Sequence, residues 1–414
     1  MLTVNELFPR VHRRYSSLPI LGRILKGYGD WLLLRGYPRA RIQQHYRTAR
    51  RLEGALWERG ARCEAHLTRD KLRACAPAAT QDDADLAGLV SSLERFLEDE
   101  GLLVRPFPTG VERKVAVYGA YLQQVRGFAP STARQHVATA SRFLSLLGYE
   151  ARPACLRKLG PADIEAFVRT TGERIGRASL QHTVAQVRGF LRFLAATGEA
   201  PTGLDTEIDM PRVYRGEQLP RALPWATVQE FLRSIDRSTP LGMRDYAIFL
   251  LVATYGLRAS DIVALTLDDI EWRARRFRVV QRKTGTPLLL PLTDAVGASL
   301  AEYLRRSRPP LPRREVFLRF RAPAGALKST AVTEAFQAWS RRSGLRIPFQ
   351  GPHCLRHSFA VHLLREGVSL KTIGDVLGHR TAESTCVYLR LAVEDLRDVA
   401  LPLPTHHPVP EVRP

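Results

Sequence analysis

Leu180, Val184, Val187, Leu191 and Leu194 follow one another at alternating intervals of four and three residues. That spacing lines one side of a helix and predicts an amphipathic helix over Leu180–Ala196 facing a small core. Upstream, a helix over Val115–Val125 ends in an Arg-Gly-aromatic turn, a second helix follows, and Pro161–Thr170 makes a short third. The same order is written nearer the start: Ile20–Leu34, an Arg-Gly-aromatic turn, a second helix, Thr68–Ala74, then Asp83–Glu98. At an offset of 91, Arg35/Arg126, Gly36/Gly127, Gln44/Gln135, His45/His136, Thr48/Thr139, Ala49/Ala140 and Arg51/Arg142 are identical. The chain is therefore read as two four-helix modules, 1–104 and 105–200, related by duplication.

Gly198–Leu223 holds Pro201, Pro211 and Pro220 with Gly203 and Gly216, which interrupt any regular element, so 201–223 is expected to be a linker. From 224 the pattern mixes helices with short strands. Phe277–Val280 and Leu288–Leu292 flank the turn-like Lys283-Thr-Gly-Thr286 and predict a β-hairpin. The expected fold class is mainly α, with an α+β domain over 224–400 carrying a small β-sheet. Residues 401–414, with five prolines, read as a disordered tail.

Composition narrows the partner. The 414 residues allow two or three domains, and 45% hydrophobic with 25% charged residues excludes a disordered or fibrous chain. A net charge of +21 and a pI near 10.4 point to a polyanion, with nucleic acid first. Arginine outnumbers lysine 55 to 7, a bias that GC-rich coding DNA produces by itself, so charge alone does not name the polyanion. The five cysteines are scattered without a Cys-x-x-Cys pair, which indicates neither a disulfide framework nor a zinc ribbon. No basic flank with an apolar core opens the chain, and the longest apolar stretch, Tyr246–Tyr255, is too short to span a bilayer. A cytoplasmic protein without membrane contact is expected.

Chemistry concentrates in the C-terminal half. Tyr255-Gly-Leu-Arg-Ala-Ser-Asp261 ends an apolar helix and begins another; Lys283 sits at the hairpin tip. Pro352 opens a helix on which His353 and Arg356 share a face, and Gly378 stops the next helix so that His379 lies just beyond its end. Tyr388 follows nine residues later. Two arginines, two histidines, a lysine and a tyrosine suit phosphoryl transfer to a side-chain nucleophile. Guanidinium groups grip non-bridging oxygens bidentately, a lysine can protonate a leaving alkoxide, and a histidine can take the tyrosine proton.

These residues resemble the tyrosine recombinase (phage integrase) family in order and spacing: Arg258 in Gly-Leu-Arg-x-Ser-Asp, Lys283, His353-x-x-Arg356, Leu377-Gly-His379 and Tyr388. The resemblance covers about 105–400, with 105–200 similar to the SAM-like core-binding domain and 1–104 read as its duplicate. It implies a site-specific DNA recombinase that cleaves and rejoins strands through a 3′-phosphotyrosyl link. Tyr388 is then the nucleophile, and Arg258, Arg356 and His379 hold the phosphate oxygens. Lys283 is the general acid, His353 the acceptor of the tyrosine proton, and Asp261 a support for the arginines. The hairpin reads Arg-Lys-Thr-Gly-Thr-Pro where the family commonly has Gly-Lys-Gly. The resemblance further implies no cofactor, metal or ATP, and a homotetramer on paired sites in double-stranded DNA. Integration, excision or transposition of a mobile element is the expected role, with a second recombinase encoded nearby as a further partner. Val393–Leu401 resembles the family's terminal docking helix. DNA contacts are expected from Arg134, Gln135, Arg142, Gln181 and Arg188, chiefly to phosphates. A type IB topoisomerase-like nicking-closing enzyme and a non-catalytic DNA-binding accessory are the competing readings.

Overall fold

In the computed structural model, Val4–Leu7 (α1), Gly22–Leu34 (α2), Arg39–Glu58 (α3), Arg69–Ala74 (α4) and Gln81–Asp99 (α5) build the first helical module. The structure describes residues 4–8, 10, 14–76, 81–103, 107–214, 219–283, 285–379 and 381–391. They fall into two units, one of 103–217 and one combining 1–102 with 218–414. Backbone N–H groups where a helix begins lack carbonyl partners, and a carboxylate can take them. Glu53, from α3, does so for α2, accepting from Ile20 N at 2.8 Å and Leu21 N at 3.0 Å. Inside the module, Tyr28 Oη lies 2.6 Å from His45 Nδ1 and 2.7 Å from Ser92 Oγ, which ties α2, α3 and α5 together.

The second unit repeats these devices in Gly110–Gln124 (α6), Pro130–Leu146 (α7), Pro161–Gly172 (α8) and Arg177–Ala196 (α9). Glu150 accepts from Gly110 N and Val111 N at the start of α6, and Tyr118 Oη lies 3.2 Å from His136 Nδ1. Of the apolar stripe on α9, Val184, Val187, Leu191 and Leu194 are buried with Tyr118, Phe143 and Phe190, while Leu180 is half-buried. The expected linker has no helix or strand among its described residues, as its prolines dictate. It is not a loose connector throughout, however. Leu204 and Ile208 are buried in the second unit's core, and Gln181 and Arg188 of α9 donate to Pro211 O and Ile208 O. Arg192 of α9 also pairs with Asp205 at 3.2 Å, and Met210 packs against the same core.

The rest of the first unit runs Trp225–Arg233 (α10), Pro240–Tyr255 (α11), Ala259–Ile262 (α12), Ile270–Glu271 (β1), Arg276–Val280 (β2), Pro287–Pro291 (β3), Asp294–Arg306 (α13), Ser329–Arg342 (α14), His353–Arg365 (α15), Leu370–Leu377 (α16) and Glu383–Cys386 (α17). A 3₁₀ turn over Val387–Leu391 closes the series. The strands form an antiparallel sheet in the order β1-β2-β3, with Phe277 opposite both Ile270 and Leu290. The hairpin lies where the sequence places it, but β1, two residues long, has no period to read. Helix α11 is apolar on nearly every side because it is the central element, its Ala247, Phe249, Leu251 and Val252 all in the core. Tyr255 at its end donates to Pro291 O at 2.6 Å, locking helix to hairpin. The chain entering α10 straps α15: Leu223 N donates to Ser358 Oγ at 2.7 Å, and the Trp225 ring stacks on His362 at 4.2 Å.

The sequence pairs 1–104 with 105–200 as twins, yet the first module groups with the C-terminal half. Ala324 N donates at 2.7 Å to Arg35 O, a carbonyl left over where α2 ends. Val393–Leu401 and the proline-rich 401–414 lie outside the described residues.

Candidate active site

Helix α11 ends at Gly256 in the left-handed conformation, which turns the chain so that Arg258 precedes α12. Its guanidinium Nη1 donates to Gln281 Oε1 at 3.1 Å, and Gln281 Nε2 donates to Leu377 O at 2.9 Å. Gln281, at the end of β2, is wholly buried and so ties the 258 turn to the end of α16. Arg356 comes from the first turn of α15 and is 2% exposed. It donates through Nη1 to Gly256 O and through Nη2 to Leu377 O at 2.8 Å and His379 Nε2 at 3.2 Å. Arg356 thus spans two turns, each made by a glycine that stops a helix, while Arg258 reaches the second of them through Gln281.

The protonation of His379 follows from its partners. Arginine can only donate, so Nε2 accepts, and Nδ1 carries the hydrogen that reaches Thr385 Oγ1 at 2.8 Å. Tyr388, on the 3₁₀ turn, is 2% exposed; its ring lies nearly parallel to His379 at 6.3 Å, and its Oη is 3.1 Å from His357 Nδ1. Asp261 is buried, and its Oδ1 accepts from Arg282 N at 3.0 Å while Oδ2 sits 3.8 Å from Arg258 Nη1. It therefore anchors the hairpin next to Lys283 at least as much as it orients Arg258.

Burial and neighbouring cations set the charges in this pocket. Burial, then the charge of Arg258, pushes Arg356 down to about 10. Burial, then the Arg356 and Arg258 charges, lowers His379 to about 4. His357 is lowered to about 4 by burial and by His353, Arg356, Arg221 and His379 around it. Burial raises Tyr388 above the ordinary phenol value, with Arg356 and Arg258 pulling against it. A pocket in which Arg258, Arg356 and the nearby Lys283 outnumber the buried carboxylate of Asp261 is built to receive negative charge.

Of the residues expected from sequence, Arg258, Arg356, His379 and Tyr388 come together in one chain. Lys283 is exposed at the hairpin turn, close enough for its charge to bear on His379. His353 is exposed and meets the edge of the His357 ring at 4.4 Å; the imidazole within reach of the phenol is that of His357. Arg134, Gln135 and Arg142 are exposed on α7, whereas Gln181 and Arg188 hold the linker. Sequence reasoning did not single out Gln281, Thr385 or the pairing of His357 with Tyr388. Only His357 carried a signal, its place one helical turn after His353. Among the described residues no group of three or more His, Cys, Asp or Glu is placed to hold a metal ion, and no helix is long and apolar enough to cross a membrane.

Gly378 shows how tightly the turn is built. Its φ is 62°, and a Cβ there would overlap the buried amide of Gln281. Gly378→Ala is expected to destabilise the chain by about 2–4 kcal/mol in denaturant unfolding, summing left-handed strain and a displaced hydrogen-bonded amide. An unchanged midpoint would mean that Gln281 is not a fixed brace.

Comparison with known proteins follows the same lines. Residues 222–395 match the phage integrase family, and residues 115–198 match the phage integrase N-terminal SAM-like domain. The chain is 32% identical over 387 residues to the integrase/recombinase y4rA of Sinorhizobium fredii (strain NBRC 101917 / NGR234), covering 91% of this chain and 93% of that one. It is 29% identical over 286 residues to the tyrosine recombinase XerD of Lacticaseibacillus casei, covering 68% and 95%. In fold it is similar to XerH site-specific recombinase bound to palindromic difH substrate in a post-cleavage complex. That likeness has a TM-score of 0.54 at 17% identity over 74% of this chain and 93% of that one. It is similar also to a lambda integrase dimer bound to a COC′ core site, with a TM-score of 0.52 at 18% identity over 67% and 94%. With its helical module, its hairpin and its cluster of arginines about a buried tyrosine, the chain belongs to the phage integrase family and is a tyrosine site-specific recombinase.

Proposed function

We propose that this recombinase cuts DNA by attack of Tyr388 on a backbone phosphate, keeps the 3′ end as a phosphotyrosine, and rejoins it to a different 5′-hydroxyl. The observation that carries the reading is the position of Tyr388 in its own chain, beside His379 and within the influence of Arg258 and Arg356. Charge gathers on the non-bridging oxygens as phosphorus is attacked, and fixed cations in a desolvated pocket stabilise it without reorganising. Arg258 and Arg356 supply that charge. His379, holding its hydrogen on Nδ1, must take a proton or change tautomer before Nε2 can donate to an oxygen. Lys283, on the exposed turn braced by Asp261, protonates the leaving 5′-oxygen. The site as a whole must lower the barrier by roughly 20 kcal/mol, given how slowly phosphodiesters break unaided.

Double-stranded DNA is the substrate, and the exposed Arg134, Gln135 and Arg142 of α7 meet its phosphates. A homotetramer on paired sites accords with the lambda integrase tetramer solved on a Holliday junction. The module 1–102, with its repeated Tyr–His and glutamate devices, reads as a second core-binding-type module, an addition that suits integration, excision or transposition of a mobile element.

The test uses duplexes selected by the full chain from a randomised pool and then nicked beside the cleavage point, so that the short 5′-hydroxyl fragment diffuses away. Wild-type protein should retain DNA through denaturation, joined by a 3′ phosphate to the peptide containing Tyr388. A 5′ linkage, or DNA on another residue, would refute the assignment. Products joined between two sites, beyond relaxation of one plasmid, separate strand exchange from nicking and closing.

A further inference from the structure

We propose that His357, rather than His353, takes the phenolic proton from Tyr388 as the tyrosine attacks, which makes His357 a catalytic residue. The inference rests on the nucleophile assignment above. The Nδ1 of His357 is 3.1 Å from Tyr388 Oη, the distance of a hydrogen bond, while the His353 ring packs edge to face with the His357 ring at 4.4 Å. His357 is half-buried, with His353 packed on one side and the Tyr388 ring 5.6 Å away on the other, so its orientation is fixed. His353 is exposed.

The groups facing His357 come from every neighbouring element: His353 and Arg356 on α15, His379 after α16, Arg221 before α10, and Tyr388 itself. The cations among them, with burial, keep the imidazole unprotonated at neutral pH, and in the tautomer with its hydrogen on Nε2 the Nδ1 lone pair faces the phenol. An incoming phosphate brings negative charge into that cluster and raises the basicity of His357 when it is needed.

The step balances. The Tyr388 Oη–H bond breaks and its proton passes to His357 Nδ1, while the Oη electron pair forms the bond to phosphorus. The P–O5′ pair leaves with the 5′-oxygen, which takes a proton from Lys283. In rejoining, the attacking 5′-hydroxyl gives its proton to the Lys283 amine, and the imidazolium of His357 returns its own to Tyr388.

Single-turnover cleavage of the nicked duplexes described above tests this. Asparagine places an amide near the position of Nδ1, keeping a hydrogen bond but unable to carry the proton. His357→Asn and His357→Ala should both slow adduct formation by roughly a hundredfold or more, and His353→Asn by less than about tenfold. A second substrate with sulfur in place of the bridging 5′-oxygen needs no proton on its leaving group. It should restore Lys283→Ala but not His357→Asn. Rescue of His357→Asn by sulfur, near-wild-type cleavage by His357→Asn, or a larger loss in His353→Asn would each overturn the proposal. Failure of the nucleophile reading looks different, since wild-type protein would then carry no DNA on Tyr388.

Discussion

Tyr388→Phe should leave a folded, DNA-binding protein that forms no covalent adduct, with recombination down by at least about four orders of magnitude. The ring stays in its apolar setting among Phe359, Ile373 and Leu377, so packing is retained. Only the hydroxyl is lost, and with it one hydrogen bond to His357, worth about 1 kcal/mol. Covalent catalysis has no substitute for that oxygen. A water molecule attacking in its place would release the strand instead of conserving the bond, so any residual reaction should appear as hydrolysis. The decisive measurement pairs adduct trapping with thermal unfolding: adduct lost and midpoint within a few degrees. Undiminished adduct in Tyr388→Phe would transfer the nucleophile's role to another residue.

What the sequence made legible was local. A left-handed glycine is a common way for a helix to stop, so Leu377-Gly-His379 announced both the end of α16 and the histidine beyond it. His353 and Arg356 were readable because three residues make nearly one turn, and the hairpin because two apolar runs, Phe277–Val280 and Leu288–Leu292, flank the turn-like Lys283-Thr-Gly-Thr286. Contacts between distant segments left no such trace. Gln281 meets Leu377 across 96 residues and His357 meets Tyr388 across 31. Periodicity placed both His353 and His357 on one side of α15 but could not tell which imidazole the tyrosine would reach. The same holds for the half-buried linker and for the grouping of 1–102 with 218–414, both made by contacts between segments far apart in sequence.

Arg356 gives the sharpest separation of stability from function. It is buried without a carboxylate in hydrogen-bond contact among the described residues, its charge met by Gly256 O, Leu377 O and His379 and opposed by Arg258. Lowering its pKa from 12.5 to about 10 means that the fold holds this charge at an expense of about 3 kcal/mol. Arg356→Met removes that penalty but leaves Gly256 O and the half-buried His379 Nε2 without their donor, a loss of about 1–3 kcal/mol. The two nearly cancel, so the variant should unfold within about 2 kcal/mol of wild type while cleavage falls by about a thousandfold or more. Arg356→Lys should be as inactive. An ammonium cannot span both turns, and in this cationic, buried setting it is pushed toward neutrality. DNA should then raise the unfolding temperature of wild type more than that of either variant, because the phosphate relieves a charge that only wild type still carries in place. A large loss of stability in Arg356→Met would recast Arg356 as a strut between two turns. Retained cleavage in Arg356→Lys would reduce its role to charge alone.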